Sequence, residues 1–392
     1  MDISALIIYV MAAFMLWAAF DKAILNNRFG YGAQFDEGMA AIGPMATAMV
    51  GFMCLAPVMG KVLTPIVAPV FQLIGADSSM LAGSLLALDM GGYALAKEMT
   101  TDAQMAVFSG GLYASMMGVT LTFTVPVALG ILKKEDQAYL AKGVMSAIIV
   151  IPVAGFAGGL IMGLQPLVIL CNLIPAMILS ALLAIGLVRI PDALMKGFMV
   201  FSRLITVIMY ASLAAAILEQ LTGIVLIPGM APIGPQLETV GIIGITLAGA
   251  YPFVHFVINT FQKPLRRAGS KLGVNEMTVG GMVAALANTL PTMGMVKDMN
   301  PRGKTLAIAF MVPAGFALGD HLAYASANMS EYIVPMVATK LIGGALAVCI
   351  AFVLTEEKAP KKEKVGAAKA PEVTEMAGVV EAAEAKVLCE TK

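Results

Sequence analysis

Apolar windows long enough to cross a bilayer recur along this chain, and no other feature restricts its fold so severely. A helix needs roughly 20 residues to span the hydrocarbon core, and inside that core every peptide group must find its partner within the protein. The sequence offers such windows at 3–20, 39–60, 104–131, 143–164, 165–188, 198–218, 240–261, 305–325 and 331–354, with charged connectors between them. Two further segments, 78–96 and 276–296, are apolar but interrupted. With 59% hydrophobic and only 13% charged residues in 392, the reading is an all-α polytopic membrane protein set in a lipid bilayer. A formal net charge of zero gives no argument for nucleic acid.

Little is left over for a soluble domain. The tail 355–392, rich in Ala, Lys, Glu and Pro, lacks the large apolar side chains of a core and is expected to be disordered, with an amphipathic stretch near 373–388. The first span follows Asp2 rather than a basic region, and its apolar run exceeds a signal core, so it is expected to stay in the chain. Cys54, Cys171 and Cys349 lie in apolar spans and Cys389 in the tail, without spacing that suggests a disulfide framework or a metal site.

The chain also repeats itself. GADSSMLAGSLLALDMGG, from Gly75, aligns with GVNEMTVGGMVAALANTLP, from Gly273, and LAKEM before Thr100 aligns with MVKDM before Asn300. The offset carries span 3–20 onto 198–218, 39–60 onto 240–261 and 104–131 onto 305–325. Each half thus holds four crossings and one broken or re-entrant segment: 1–164 is the first transmembrane repeat and 198–354 the second. The span and loop at 165–197 link them. Basic connectors mark the cytoplasmic side. Lys133, Lys134, Lys142, Arg189 and Lys196 fall on one side, and the connector 262–273 with Lys263, Arg266, Arg267 and Lys271 joins them. The connector 97–103 has one Lys against Glu98 and Asp102, whereas 297–304 carries Lys297, Arg302 and Lys304. That contrast favours re-entrant segments and an inverted structural repeat, with the amino terminus outside and the carboxyl terminus inside.

Inverted repeats with discontinuous helices are a transporter architecture whose substrate site lies near the midplane, where the breaks meet. Ionisable side chains at that depth are costly and face interiors or pathways. Asp89 sits in LALDMGGY, where Gly91 and Gly92 are expected to break the helix. Its approximate counterpart, Asn288, sits in ANTLP, where Pro291 is expected to do the same. In FALGDHLAYASANM, Asp320, Tyr324 and Asn328 fall on one helical face. Asp89, Tyr93, Asn288, Asp320, Tyr324 and Asn328 are the candidate substrate-binding residues, and His321 is a candidate pH sensor. The competing reading has the two acids capping broken helices or pairing with Lys97 and His321. His255 reads as a satisfied core residue, and the 30 methionines as pliable packing.

An intramembrane enzyme is the alternative class. Asp320 and His321 are adjacent on a helix and so point about 100° apart, and no serine is fixed against them as nucleophilic catalysis requires. Neither metal-ligand spacing nor a phosphate-cradling loop is present in the sequence, so no cofactor and no metal are expected.

LALDMGGYALAKEM, PTMGMVKDMNPRGK at 291–304, FALGDHLAYASANM and KLIGG at 340–344 resemble signature stretches of the bacterial ethanolamine-utilisation membrane permeases. The likeness covers residues 1 to about 355. It implies a multi-pass protein of the bacterial cytoplasmic (inner) membrane that admits ethanolamine, chiefly protonated, to feed its cleavage in a microcompartment. The physics agrees. The neutral amine leaks through lipid, but the ammonium ion faces a large desolvation barrier and needs a carboxylate or an aromatic face. An ion-coupled transporter of another small amine or amino alcohol fits the same residues. The sequence is neutral between channel and alternating access, and between monomer and homo-oligomer.

Overall fold

The computed structural model describes residues 3–355, so the expectations for the tail fall outside the described residues. All regular structure within them is helical. The helices are α1 (Ile3–Ala23), α2 (Tyr31–Ala40), α3 (Ile42–Gln72), α4 (Met80–Leu85), α5 (Tyr93–Met99), α6 (Ala103–Ala106), α7 (Val125–Ile131) and α8 (Gln137–Ile161). There follow α9 (Pro166–Arg189), α10 (Pro191–Thr222), α11 (Ile233–Leu272), α12 (Glu276–Ala285), α13 (Thr289–Met295), α14 (Pro301–Ala314), α15 (Asp320–Asn328) and α16 (Ile333–Leu354). Wide π-helical turns over 107–124 join α6 to α7, so Ala103–Ile131 is one continuous crossing.

Among the described residues eight helices are long and apolar enough to cross a membrane, and they match eight of the expected windows. The boundaries move outward. The window at 39–60 belongs to Tyr31–Gln72, and the backbone of the expected connector 262–273 continues α11 to Leu272. Prolines inside α3 (Pro57, Pro65, Pro69) do not stop it, and the helix runs on to Gln72.

The window at 305–325 is the exception. It is not one helix: α14 ends at Ala314 and α15 starts at Asp320. Between them Phe316 adopts a left-handed φ of 62°. The broken backbone is not left unpaired. The N–H of Phe316 donates to the Ala285 carbonyl at 2.8 Å, and that of Leu318 to Leu286 at 2.7 Å. One break therefore satisfies the other, which is how irregular backbone survives at this depth.

Both interrupted segments are hairpins. The Ser78 hydroxyl donates to the Met99 carbonyl at 2.7 Å, and Thr100 donates to Asp77 Oδ2 at 2.7 Å. In the second half Asn275 Nδ2 donates to the Asp298 carbonyl and Asn300 Nδ2 to that of Gly273, each at 2.9 Å. Each segment therefore ends beside the place where it began, joined by side chains at corresponding repeat positions.

The breaks differ from expectation in detail. In the first, Leu86 and Ala87 are extended and Gly91 takes φ 91°, whereas Gly92 is helical. Gly92 is needed for closeness, since a Cβ there would lie 2.6 Å from the carbonyl oxygens of Leu86 and Ala87. In the second, Pro291 is not the breaker. The chain opens before it, with Asn288 extended and accepting the Leu290 N–H at 2.9 Å, and Pro291 sits in the first turn of α13, where no intrahelical donor is needed.

Candidate functional site

The interior breaks converge on one cavity of about 290 Å³. Its walls carry Asp89 from the first break, Asn288 from the second, and Asp320 and His321 from the start of α15. Tyr251 of α11 and Glu37 of α2 complete the polar lining. Phe123, Phe316, Ala41 and the α3 side chains Pro44, Met45, Ala48 and Met49 supply much of the apolar part. A shallower groove of about 440 Å³ beside Lys61 and Glu98 runs along the outer face of α3 and gathers no buried acid.

Asp320 is held from two directions. The Tyr251 hydroxyl donates to its Oδ1 at 2.9 Å, and it opens α15, where unbonded N–H groups favour a negative charge. Asp89 is held more loosely. Its carboxylate approaches only the backbone N–H groups of residues 89 and 90, and its Oδ1 is buried without a hydrogen-bond partner among the described residues. A buried acceptor left unsatisfied costs roughly 1–3 kcal/mol, more when charged. Asp320 lies within electrostatic reach of both Asp89 and Glu37. Three carboxylates around one space repel each other, and a cation between them relieves that repulsion.

The expected pairing of Asp89 with Lys97 does not occur. Lys97 is exposed and stands 5.0 Å over the Tyr93 ring. Asp320 likewise takes Tyr251 rather than His321, whose Nδ1 has no partner among the described residues.

Of the sequence-predicted residues, Asp89, Asn288, Asp320 and His321 meet in the cavity, whereas Tyr93, Tyr324 and Asn328 lie outside its lining. Tyr93 and Tyr324 pack edge to face, with ring centroids 6.3 Å apart and planes at 89°. Each stands one turn beyond an acid, Tyr93 after Asp89 and Tyr324 after Asp320. Asn328 donates to the Tyr324 carbonyl at 3.0 Å and so stabilises the end of α15. His255 is tied to Asn259 at 2.9 Å and to the edge of Tyr31, away from the cavity; it is satisfied as expected, but half-buried rather than in the core.

Sequence reasoning passed over Glu37, Tyr251, Phe123, Phe316 and Lys340. The last carried a readable signal. Lys340 lies in the middle of α16, wholly buried, and a lysine inside an apolar span marks a functional interior on cost alone. Its ammonium donates to the Ser115 carbonyl at 2.6 Å, within electrostatic reach of Asp89.

Named relatives align with nearly the whole chain. A probable ethanolamine permease EutH of Listeria monocytogenes is 46% identical over 363 residues, covering 93% of this chain and 97% of that protein. The probable ethanolamine permease EutH of Salmonella typhimurium is 43% identical over 391 residues, covering 90% and 96%. A Bacillus subtilis protein named YxeR is 42% identical over 364 residues, covering 93% and 98%. No solved structure matches. The family described as "Ethanolamine utilisation protein, EutH" matches residues 3–354, nearly all of what the structure describes, and the chain belongs to that family.

Proposed function

We propose that this protein carries ethanolamine across the cytoplasmic membrane, chiefly as the ammonium ion, through the cavity shared by Asp89 and Asp320. The observation that carries this reading is that two half-buried carboxylates from different halves of the chain, each at a helix break, line one cavity, with Oδ1 of Asp89 buried and unpartnered. An ammonium ion needs acceptors to replace its water, and a carboxylate accepts about twice as strongly as a neutral group. The faces of Phe123 and Phe316 offer a second kind of attraction. The alcohol end of the substrate needs a partner that can both donate and accept, and Asn288 and the Tyr251 hydroxyl have that capacity. Hydrolytic or nucleophilic chemistry has less support, because His321 orients no nucleophile among the described residues.

The hairpins favour an inverted repeat. If both interrupted segments return to the side they leave, 1–164 makes four crossings, the span in 165–197 makes one, and 198–354 runs in the opposite sense. Lys22 and Arg28, in and after the last turn of α1, fall on the cytoplasmic side together with Lys133 and Lys134. In that frame Glu37, which is exposed, stands at a cytoplasmic mouth, while Asp89 is half-buried, with its Oδ1 buried. The Tyr93–Tyr324 pair then closes the opposite end, a contact to be opened as substrate enters.

The transport reading is tested by uptake. Vesicles containing the protein are expected to accumulate labelled ethanolamine above protein-free vesicles, with the widest margin at acid pH, where little neutral amine remains to diffuse. Conversion of ethanolamine to a product by the purified protein would instead support an enzyme. Topology is tested separately. Single cysteines placed beside Asp102 and beside Arg302 are expected to react with an impermeant reagent from opposite sides of the membrane; labelling of both from one side would leave a parallel repeat.

A further inference from the structure

Among the side chains that line the cavity, two atoms are buried without a hydrogen-bond partner among the described residues: Oδ1 of Asp89 and Nδ1 of His321. The other polar groups are already engaged or open. The Tyr251 hydroxyl gives its hydrogen to Asp320 Oδ1, Asn288 Oδ1 accepts the Leu290 N–H, and Glu37 is exposed. His321, by contrast, is 1% exposed and held in place by Phe316, whose carbonyl accepts its N–H at 3.3 Å and whose ring lies 5.1 Å from the imidazole. Phe316 packs in turn against Ala87, Met90 and Val119, and α15 packs against the turn Leu88–Gly92 that carries Asp89. The two unpartnered atoms thus belong to adjoining walls. Phe316 holds the ring from a left-handed φ of 62°, a strained conformation for a side chain of this size and one that clusters at functional sites.

We infer that His321 recognises the alcohol end of the substrate through Nδ1, while Asp89 Oδ1 accepts from the ammonium end, so that the cavity selects amino alcohols over simple alkylamines. The inference rests on the transport reading above. The two atoms differ in kind: an ionised carboxylate only accepts, whereas a neutral imidazole nitrogen accepts or donates according to the tautomer. An ammonium ion only donates, and a hydroxyl does both. The hydroxyl therefore suits Nδ1 in either tautomer, and the ammonium suits the carboxylate. An alkylamine satisfies Asp89 alone and leaves Nδ1 unpaired in a site closed to water. A site that bonds a substrate hydroxyl rejects the analogue lacking it for that reason, and a single neutral hydrogen bond already corresponds to roughly tenfold.

Competition against labelled ethanolamine at acid pH tests this, with propylamine as the probe, since it replaces the hydroxyl by a methyl group and keeps the ammonium. In the wild type propylamine is expected to inhibit roughly tenfold more weakly than unlabelled ethanolamine; equal inhibition overturns the inference. His321→Leu removes the nitrogen and is expected to bring the two inhibitors to near equality. A wild-type preference in His321→Leu at normal abundance overturns the inference and returns the alcohol to Asn288 or Tyr251. Should His321→Leu fail to accumulate, the amides decide. His321→Asn places a polar atom near the Nδ1 position and is expected to keep the preference, whereas His321→Gln places one near Nε2 and is expected to lose it. The reverse order, or equal preference in both, overturns the inference. Absence of ethanolamine uptake by the wild type would instead remove the transport reading itself, so the two failures are distinguishable.

Discussion

Asp320→Asn is expected to lower acid-pH uptake of ethanolamine by about tenfold or more while leaving the protein at normal abundance, because the change removes a charge-assisted acceptor and keeps its shape. The neutral amide still accepts the Tyr251 hydroxyl, so the one side-chain contact that holds Asp320 survives. Asp89→Asn is expected to act in the same direction, with a second signature. Oδ1 of Asp89 is buried and unpartnered, so neutralising the group removes a desolvation cost. The variant should therefore unfold at the same temperature as the wild type or higher, while transporting less. A capping or ion-pairing role makes the opposite prediction, since a structural acid that loses its charge loses stability first. Thermal unfolding in detergent, measured beside uptake and abundance, separates these outcomes. Undiminished uptake in Asp89→Asn would remove it from the site and leave Asp320 as the principal acceptor.

The crossings were legible because hydropathy over twenty residues is a sum, and sums survive errors at single positions. The interrupted segments were legible as apolar runs with breaks in them, and the side-chain bonds closing each one bring its two ends together; the opposite sides implied by basic residues in 297–304 and acidic ones in 97–103 are a separate expectation, which the cysteine labelling tests. The break between Ala314 and Asp320 was not legible. Its residues, GFALG, keep hydropathy high, and the break exists because Phe316 and Leu318 donate to Ala285 and Leu286 of another segment. Pro291 misled for the converse reason. Proline suggests a break wherever it occurs, but in the first turn of a helix it costs nothing, and Asn288 performs the start.

The acids were readable one by one from their cost in lipid, whereas their company was not. Glu37, Tyr251 and Phe123 are unremarkable in sequence and reach the cavity only because α2, α11 and the π-helical crossing pass it. Helical spacing put Tyr324 and Asn328 with Asp320 on one face of α15. The cavity, however, touches only the first turn of that helix, so the face continues into the packed interior. Lys340 was visible as an intramembrane charge, but it lies inside an apolar run and far in sequence from both acids, so its relation to Asp89 required the fold.

Gly319→Ala is expected to cost about 3 kcal/mol or more and to deplete the protein from the membrane, a large effect for one methyl group. A Cβ at Gly319 would lie 2.0 Å from the Ala287 carbonyl oxygen, with the carbonyl carbon and Cα of the same residue at 2.8 and 3.1 Å. All three are backbone atoms, so no rotamer change can yield. Relief requires the two breaks to move apart. Movement, however, strains the bonds from Phe316 to Ala285 and from Leu318 to Leu286, and at this depth no water replaces them. The first half makes a similar approach, where a Cβ on Gly118 would lie 1.8 Å from the Leu86 carbonyl oxygen, so Gly118→Ala is expected to behave alike. Gly197→Ala is the control, since nothing lies within 4 Å of its added methyl and its backbone is helical. Membrane abundance and unfolding temperature are the measurements. Wild-type values for Gly319→Ala would mean that the breaks are not locked together, and the cavity between them would have to be held open by side chains alone.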